Sequence, residues 1–518
     1  MATNMPSTQV TSKPFRAGQQ PEDEKNGAHS KHKLARIYCV DDDVLREIIS
    51  WAVVAYDQPW PVVTPFPSHQ VNVRNRAYVM SRLVRVCRRF KEIVYGHAVL
   101  WASIAGVPGS EEGFNFVLER ARQVPLSIAD REGGHRSLRR ILRAQCAFAT
   151  NHLDRVRILC VDQSKDYNWL SKLSGRSAPA LTALDVYFTS VDLDVLKEDT
   201  IPPLDAPSLR SLRLSLFFIP FRAPQLQELS LSKCYKLSPA TLLDVLSSTP
   251  LLERLSLAMT LPFRVVQPGN WPDCTGREVH LSHLERLILH CVPCDTVAQF
   301  LSYLVLPAET GVRIELSSRD TFPKMRAMGQ ALQPFLSCPA YDTIRIREGN
   351  FIELFALHSQ GLDSPRVSLS GLKCDENPFG YVAELTRFLL PRHITFLDLG
   401  LACEARSYDK EAVEKSLLKI APAVQTLSIE VKERLELSFL TDELSWLKFP
   451  ALRTLKINWL DKVPNKQRDT GEWDGLRAWM KRVGAKQLET LHLDGWGNSI
   501  DNCIRERPPS LSGLRAAQ

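Results

Sequence analysis

The sequence predicts an α/β protein: a curved, horseshoe-like solenoid of stacked strand-and-return units, preceded by a small α-helical segment. Three observations lead there. A phrase of the form P-x-L-x-x-L-x-L occurs at Pro179–Val186, Pro207–Leu214, Pro224–Leu231, Pro250–Leu257, Pro422–Ile429 and Pro450–Ile457. Its copies return at similar intervals, as stacked repeats do. Residues 35–108, by contrast, carry apolar positions at helical spacing.

Within the phrase the last two apolar positions alternate with polar ones, the period of a strand with one buried face. The first leucine anchors the turn into that strand, and the proline before it ends the preceding element and presets the turn. One strand cannot bury its own leucines. At ~1.5–3 kcal/mol per buried leucine a unit offers roughly 5–9 kcal/mol, most of it offset by ordering entropy, so several units must stack.

Weaker copies extend the array at Leu153-Asp-Arg-Val156-Arg-Ile158, Leu284–Leu289, His393–Leu399 and Leu488–Leu493. The spacing is 28 from Leu153 to Leu181, 28 from Leu181 to Leu209, 26 from Leu226 to Leu252 and 28 from Val424 to Leu452. Leu209 to Leu226 is only 17, which predicts a return by a tight loop with no helix. The gaps of 32 from Leu252 to Leu284 and 36 from Leu452 to Leu488 predict insertions. One unit, Leu226 to Leu252, is complete: Cys234 follows the strand, Ser238 caps a helix with Pro239 at its first position, and Leu242 and Leu246 face inward. This unit resembles the cysteine-containing class of leucine-rich repeat. Between Cys291 and Arg392 the phrase fades, leaving strand patterns at Gly311–Leu316, Tyr341–Ile346 and Pro365–Leu369 that read as degenerate repeats. The competing reading is an ordinary α/β domain with leucine-rich strands.

In the helical segment Asp41, Asp42 and Asp43 open a helix at its positive end, and Val44, Leu45, Ile48, Ile49 and Ala52 follow as an apolar stripe. A proline-dense loop spans Gln58 to Ser68. A second helix is predicted from about Arg76 to Gly96, with Val79, Leu83, Val86, Cys87, Phe90 and Val94 on one face. The run from Ile37 to Ile49, the Leu83–Ile93 stretch with its Val86-Cys87-Arg88-Arg89-Phe90 core, and the closing Leu100-Trp101 resemble an F-box. Phe114–Arg120 and Pro125–Ile128 resemble the linker that fungal F-box proteins place before their repeats. Where that family has Leu-Pro at the start of the first helix, this chain has Val40-Asp41, and the loop between its helices is longer.

The resemblance implies a specific role. F-box helices dock on a Skp-type adaptor carried by a cullin scaffold in a ubiquitin ligase, and the repeats hold a protein substrate. Such a subunit does no chemistry; it positions the substrate for a conjugating enzyme. By position, Val40, Val44, Leu45, Ile48 and Ile49 would meet the adaptor from the first helix, and Leu83, Val86, Cys87 and Phe90 from the second or from beneath it. The alternative for these stripes is a helical cap that shields the first repeat.

The implied organisation is a disordered tail over 1–34, the F-box-like segment over 35–108, a linker or cap over 109–150, repeats over 151–500 and a C-terminal tail over 501–518. With 44% hydrophobic and 24% charged residues the composition is that of a soluble globular protein. No apolar run long enough to span a membrane and no secretory pattern is present. Scattered single cysteines suit a reducing compartment, so a cytoplasmic or nuclear location is expected.

The net charge of +7 is small for 518 residues, and nucleic acid is not an expected partner. The basic run from Arg74 to Lys91 reads as a solvated face or a contact for an acidic protein. Cys291-Val-Pro-Cys294, near Cys274, His280, His283 and His290, has zinc-like spacing but no second pair; turn and core cysteines explain it better. No cofactor, metal or enzymatic motif is expected. Substrate contacts are predicted on the outward strand positions Asp185, Arg213, Ser230, Ser256, Ile288, Ser428, Lys456 and His492. A repeat scaffold that binds a protein partner without any ligase link is the competing function.

Overall fold

The computed structural model describes residues 40–55, 73–129, 143–163, 167–188, 201–234, 237–260, 271, 274–316, 322–339, 341–347, 351–355, 367–370, 384–400, 417, 420–431, 449–459, 478, 488–494 and 515–516. The expected tail over 1–34 and the proline-dense loop lie outside the described residues.

The chain opens with helices α1 (Asp42–Ala55), α2 (Val73–Leu83), α3 (Arg88–Gly96), α4 (Ala98–Ser103) and α5 (Glu111–Ala121). Then come β1 (Leu126–Ala129), α6 (Arg143–Asn151), β2 (Val156–Gln163), α7 (Trp169–Leu173), β3 (Ala183–Phe188), β4 (Leu204–Asp205), β5 (Ser211–Ser215), β6 (Phe221–Arg222), β7 (Glu228–Ser232), α8 (Pro239–Ser247) and β8 (Arg254–Ala258). The middle holds β9 (Val279–His280), β10 (Arg286–Val292), α9 (Cys294–Leu301), β11 (Leu304–Val305), β12 (Gly311–Leu316), α10 (Phe322–Ala331) and α11 (Gln333–Leu336). Strands β13 (Thr343–Arg347), β14 (Phe351–Phe355), β15 (Val367–Ser370), β16 (Phe396–Gly400), β17 (Thr426–Val431), β18 (Thr454–Trp459), β19 (Thr490–Asp494) and β20 (Arg515–Ala516) complete it.

Among the described residues, sixteen strands form one open sheet in the order β1-β2-β3-β5-β7-β8-β10-β12-β15-β14-β13-β16-β17-β18-β19-β20. All neighbours are parallel except the pairs β13–β14 and β14–β15. Two small parallel pairs, β4–β6 and β9–β11, stand apart from it. The sheet therefore begins at β1, inside the span expected as linker or cap, and reaches β20 in the expected C-terminal tail.

The repeated phrase has one local structure. In all six copies the first apolar residue donates its N–H to the residue before the proline, as in Leu181 to Ala178 (3.1 Å), Leu252 to Thr249 (3.2 Å) and Leu452 to Phe449 (3.1 Å). Proline thus occupies the second position of a β-turn, where its fixed φ is favourable. The next two apolar positions fall in register: Leu184, Leu212, Leu229, Leu255 and Leu287 form one buried row, and Val186, Leu214, Leu231, Leu257 and Leu289 another. Buried apolar residues form one continuous cluster from Leu45 to Ile457.

The 17-residue return contains no helix; Leu216 turns the chain at φ 73°, and Phe217, Ile219 and Phe221 are buried. In the complete unit Ser238 accepts from the Thr241 N–H at 3.1 Å and Pro239 opens α8. Leu242, Leu246 and Cys234 are buried, and the Cys234 thiol donates to the Phe217 carbonyl at 3.1 Å.

Three expectations are corrected. The first concerns the earliest weak copy. Leu159 and Val161, not Val156 and Ile158, align with Leu184 and Val186. An irregularity in the β1–β2 pairing, where Leu126 faces Val156 but Ser127 faces Ile158, shifts the alternation by one residue. Leu153 instead begins a 3-10 turn.

The second concerns the faded middle. The strands at Thr343–Arg347 and Val367–Ser370 are not successive units but the arms of an antiparallel meander with β14 between them. Chain order runs backwards there, because β15 joins β12 and β13 joins β16.

The third concerns the helix from Arg76 to Gly96, which breaks. Arg85 and Val86 close α2 with tight bonds to Arg82 and Leu83, and Cys87 is extended (φ −162°, ψ 170°). The break lets α3 turn back and bury Ile93 and Val94.

The helical segment closes on the edge strand. The Gly106 N–H donates to the Ser127 carbonyl at 3.2 Å, and Gln145 Nε2 donates to the Ala105 (3.0 Å) and Pro108 (3.3 Å) carbonyls. Covering β1 removes an exposed strand edge. Inside the segment, Trp101 donates its indole N–H to the Val94 carbonyl at 2.9 Å, and the Arg120 guanidinium lies 3.4 Å from the centroid of the Phe116 ring. No helix among the described residues is long and apolar enough to cross a membrane.

Candidate interaction surfaces

Two surfaces carry the predicted site residues. The first is α1, which has two apolar stripes. Leu45, Ile49 and Val53 are 3%, 1% and 1% exposed and belong to the chain's own core. Val44, Ile48 and Trp51 are 51%, 51% and 66% exposed. At 3.6 residues per turn, the stripes lie roughly 130° apart around the helix. The predicted adaptor set is thereby divided: Val44 and Ile48 face outward, Leu45 and Ile49 face inward, and Val40, Leu83, Cys87 and Phe90 are half-buried. Val86 sits exposed in the turn after α2. Tyr78 and Val99 add further exposed apolar surface on α2 and α4. Trp51 and Tyr78 escape the stripe reading because aromatic residues at helical spacing read as core.

Polar contacts fix this arrangement. Arg89 holds Asp42 at 2.6 Å and also bonds the Val40 carbonyl, tying the start of α1 to α3. Ser50 Oγ donates to the Arg46 carbonyl at 2.8 Å and lies 2.8 Å from His97 Nε2. Burial, then the nearby Arg46, pulls the His97 pKa below its usual value of 6.5, with Glu47 opposing.

The second surface is the outward face of the sheet. One continuous row runs Cys160, Asp185, Arg213, Ser230, Ser256, Ile288 and Arg313 from β2 to β12. It continues through Ser368, Glu353, Arg345, Asp398, Ser428, Lys456 and His492 to β19. Every predicted substrate-contact residue lies in this row. The sequence reading misses Cys160, Arg313, Ser368, Glu353, Arg345 and Asp398. Cys160 is hidden by the shifted register, Arg345, Glu353 and Ser368 by the meander, and Arg313 and Asp398 sit in strands whose alternation the sequence does show. Asp398 and Ser428 are buried even on this face, with Arg345 Nε donating to Asp398 at 2.7 Å.

Over β1 to β8 the face forms a groove of about 740 Å³. Its lining includes Arg157, Asp185, Arg210, Arg213, Glu228 and Arg254. Arg254 is paired to Glu228 at 2.6 Å. Burial, then repulsion from Arg76, lowers the Arg157 pKa; burial, then Arg254, does the same at Arg286 just beyond.

The zinc-like cysteines go elsewhere. Cys294 packs its thiol 3.0 Å from the Met325 sulfur, Cys274 is buried, and Cys291 turns the chain at φ 53° beside Glu315. His290 Nδ1 meets Glu315 at 2.8 Å. Among the described residues no group of three His, Cys, Asp or Glu side chains is placed to hold a metal ion. No protein-family model and no curated protein matches this chain.

Proposed function

We propose that this chain is the substrate-recognition subunit of a cullin–RING ubiquitin ligase of the SCF type. In this reading α1 to α4 act as an F-box-like segment docking on a Skp-type adaptor. The sheet and its returns act as a leucine-rich-repeat solenoid that holds a protein substrate, in the cytoplasm or nucleus. The observation that carries the reading is the second apolar stripe on α1. A helix serving only as a cap needs one apolar face, and Leu45, Ile49 and Val53 already supply it. Val44, Ile48 and Trp51 are then left for a partner. The row of positions along the sheet's outward face gives a surface long enough for a protein ligand.

A second reading, a repeat scaffold with no ligase link, draws on the uninterrupted core from Leu45 to Ile457, which is what an end cap produces. Co-purification with a Skp-type adaptor separates the two. The ligase reading expects a complex with the wild-type chain that is lost in Val44→Asp plus Ile48→Asp. A wild-type chain that never binds the adaptor removes it and leaves the scaffold.

A further inference from the structure

The outward groove is not evenly charged. Arg157, Arg210 and Arg213 line it from β2 to β5 against one lining carboxylate there, Asp185, which faces Arg213 in the register, and among the described residues none of the three arginines forms an ion pair. Farther along, Arg254 is neutralised by Glu228, and Glu253 accepts from Gln227 at 3.1 Å. The Nε of Arg157 is buried and has no acceptor. Arg157 nonetheless lines the groove together with Arg210 and Arg213, and guanidinium groups there offer an oxyanion charge-assisted donors.

We propose that this end of the groove binds the oxyanion groups of an acidic peptide segment, with Arg157, Arg210 and Arg213 as its contacts. Backbone bonds from Thr182 to Arg157 (2.7 Å) and from Arg210 to Thr182 (2.9 Å) set Arg157 and Arg210 at one level, and Arg213 stands three residues farther along, opposite Asp185. Two strand spacings separate Arg157 from Arg210, with β3 between them, a span of about 10 Å. A peptide in the polyproline-II conformation returns a side chain to the same side every three residues, about 9 Å on. The groove crosses six strands, β1, β2, β3, β5, β7 and β8, so it is long in the direction a peptide would run. This deepens the substrate-recognition reading and rests on it.

The test uses the full chain and fluorescence anisotropy with four labelled peptide pools, rich in Glu, in phosphoserine, in Gln or in Lys. The expected result is salt-sensitive binding of a Glu or phosphoserine pool, weakened about tenfold or more by Arg210→Gln plus Arg213→Gln and largely restored by the paired Lys variant. Binding of the Glu pool assigns the site to carboxylates; binding of the phosphoserine pool alone assigns it to phosphate; either supports the proposal. No binding by either anionic pool, equal binding of the Gln or Lys pool, or unchanged affinity in the Gln variant overturns it. An unchanged thermal melt establishes that the variant is folded, since both side chains reach solvent. Adaptor co-purification of the same samples keeps the questions apart. A chain that holds the adaptor but no acidic pool loses only this inference, whereas one that binds the acidic pool but no adaptor loses only the ligase reading.

Discussion

Gly106 lies so close to Ala129 that a Cβ at residue 106 would stand 2.4 Å from the Ala129 carbonyl oxygen and 2.6 Å from its amide nitrogen. This is the contact through which the helical segment closes on edge strand β1. Backbone is what would be struck, so no side chain can give way. Gly106→Ala is expected to cost roughly 1–3 kcal/mol, read from urea unfolding. A Cβ at residue 96 would meet nothing within 4 Å, so Gly96→Ala serves as the control, with a shift within about 0.5 kcal/mol. Equal effects at the two glycines would mean that the closure on β1 is not formed as described.

If α1 docks on an adaptor as proposed, its two stripes separate folding from partner binding. Leu45→Asp forces a carboxylate into the core and is expected to cost about 4 kcal/mol or more. Ile48→Asp and Trp51→Asp change exposed positions, with effects within about 0.5 kcal/mol. Thermal melts check the first part and adaptor co-purification the second. A stability loss at Ile48 matching that at Leu45 would place both stripes in the core and withdraw the free surface.

The leucine rows are legible in the sequence because everything that makes them is local: a turn proline, an anchoring leucine and two alternating positions within eight residues. The outward row follows from the same phrase, which is why Asp185, Arg213, Ser428, Lys456 and His492 emerge together. What escapes depends on pairing across the sheet. An extra residue in β2, Arg157, opposite the Leu126–Ser127 step moves its register, and nothing in Val156-Arg-Ile158 marks it. The β13–β15 meander is antiparallel, so its strands need no helix between them and carry no phrase. The break at Cys87 is masked because Val79, Leu83, Val86, Phe90 and Val94 read as one unbroken stripe. The split on α1 escapes for a related reason: two adjacent apolar stripes look like one wide face until something packs on only one of them.

Cys234 closes the short return between β5 and β7, and burial pushes its thiol pKa up to about 12 from an ordinary 9.0. Cys146 is pushed up to about 11 by the same cause. A thiol held neutral in the fold contributes stability that is present below pH 9.0 and is lost as pH climbs toward those values. At mildly alkaline pH the native protein should leave Cys234 and Cys146 unalkylated by iodoacetamide, while the half-buried Cys87 and Cys338 react first. Peptide mapping before and after denaturation reads this directly. Early labelling of Cys234 would mean that the short return is open.

His97 makes the helical segment sensitive to acid. Its pKa is lowered by burial and by Arg46, so the fold prefers the neutral ring, whose Nε2 lies 2.8 Å from Ser50 Oγ. The unfolded chain takes up a proton near pH 6.5 while the folded chain resists, so the folded state binds fewer protons below that point. The sign follows: this contribution is complete above pH 6.5 and is lost progressively as pH falls toward the depressed folded value. Urea midpoints for the wild-type chain should therefore decline on acidification from neutral pH, and His97→Gln, which keeps a side-chain N–H donor but cannot titrate, should flatten that part of the decline. A midpoint that falls equally in both proteins would assign the acid sensitivity to other groups.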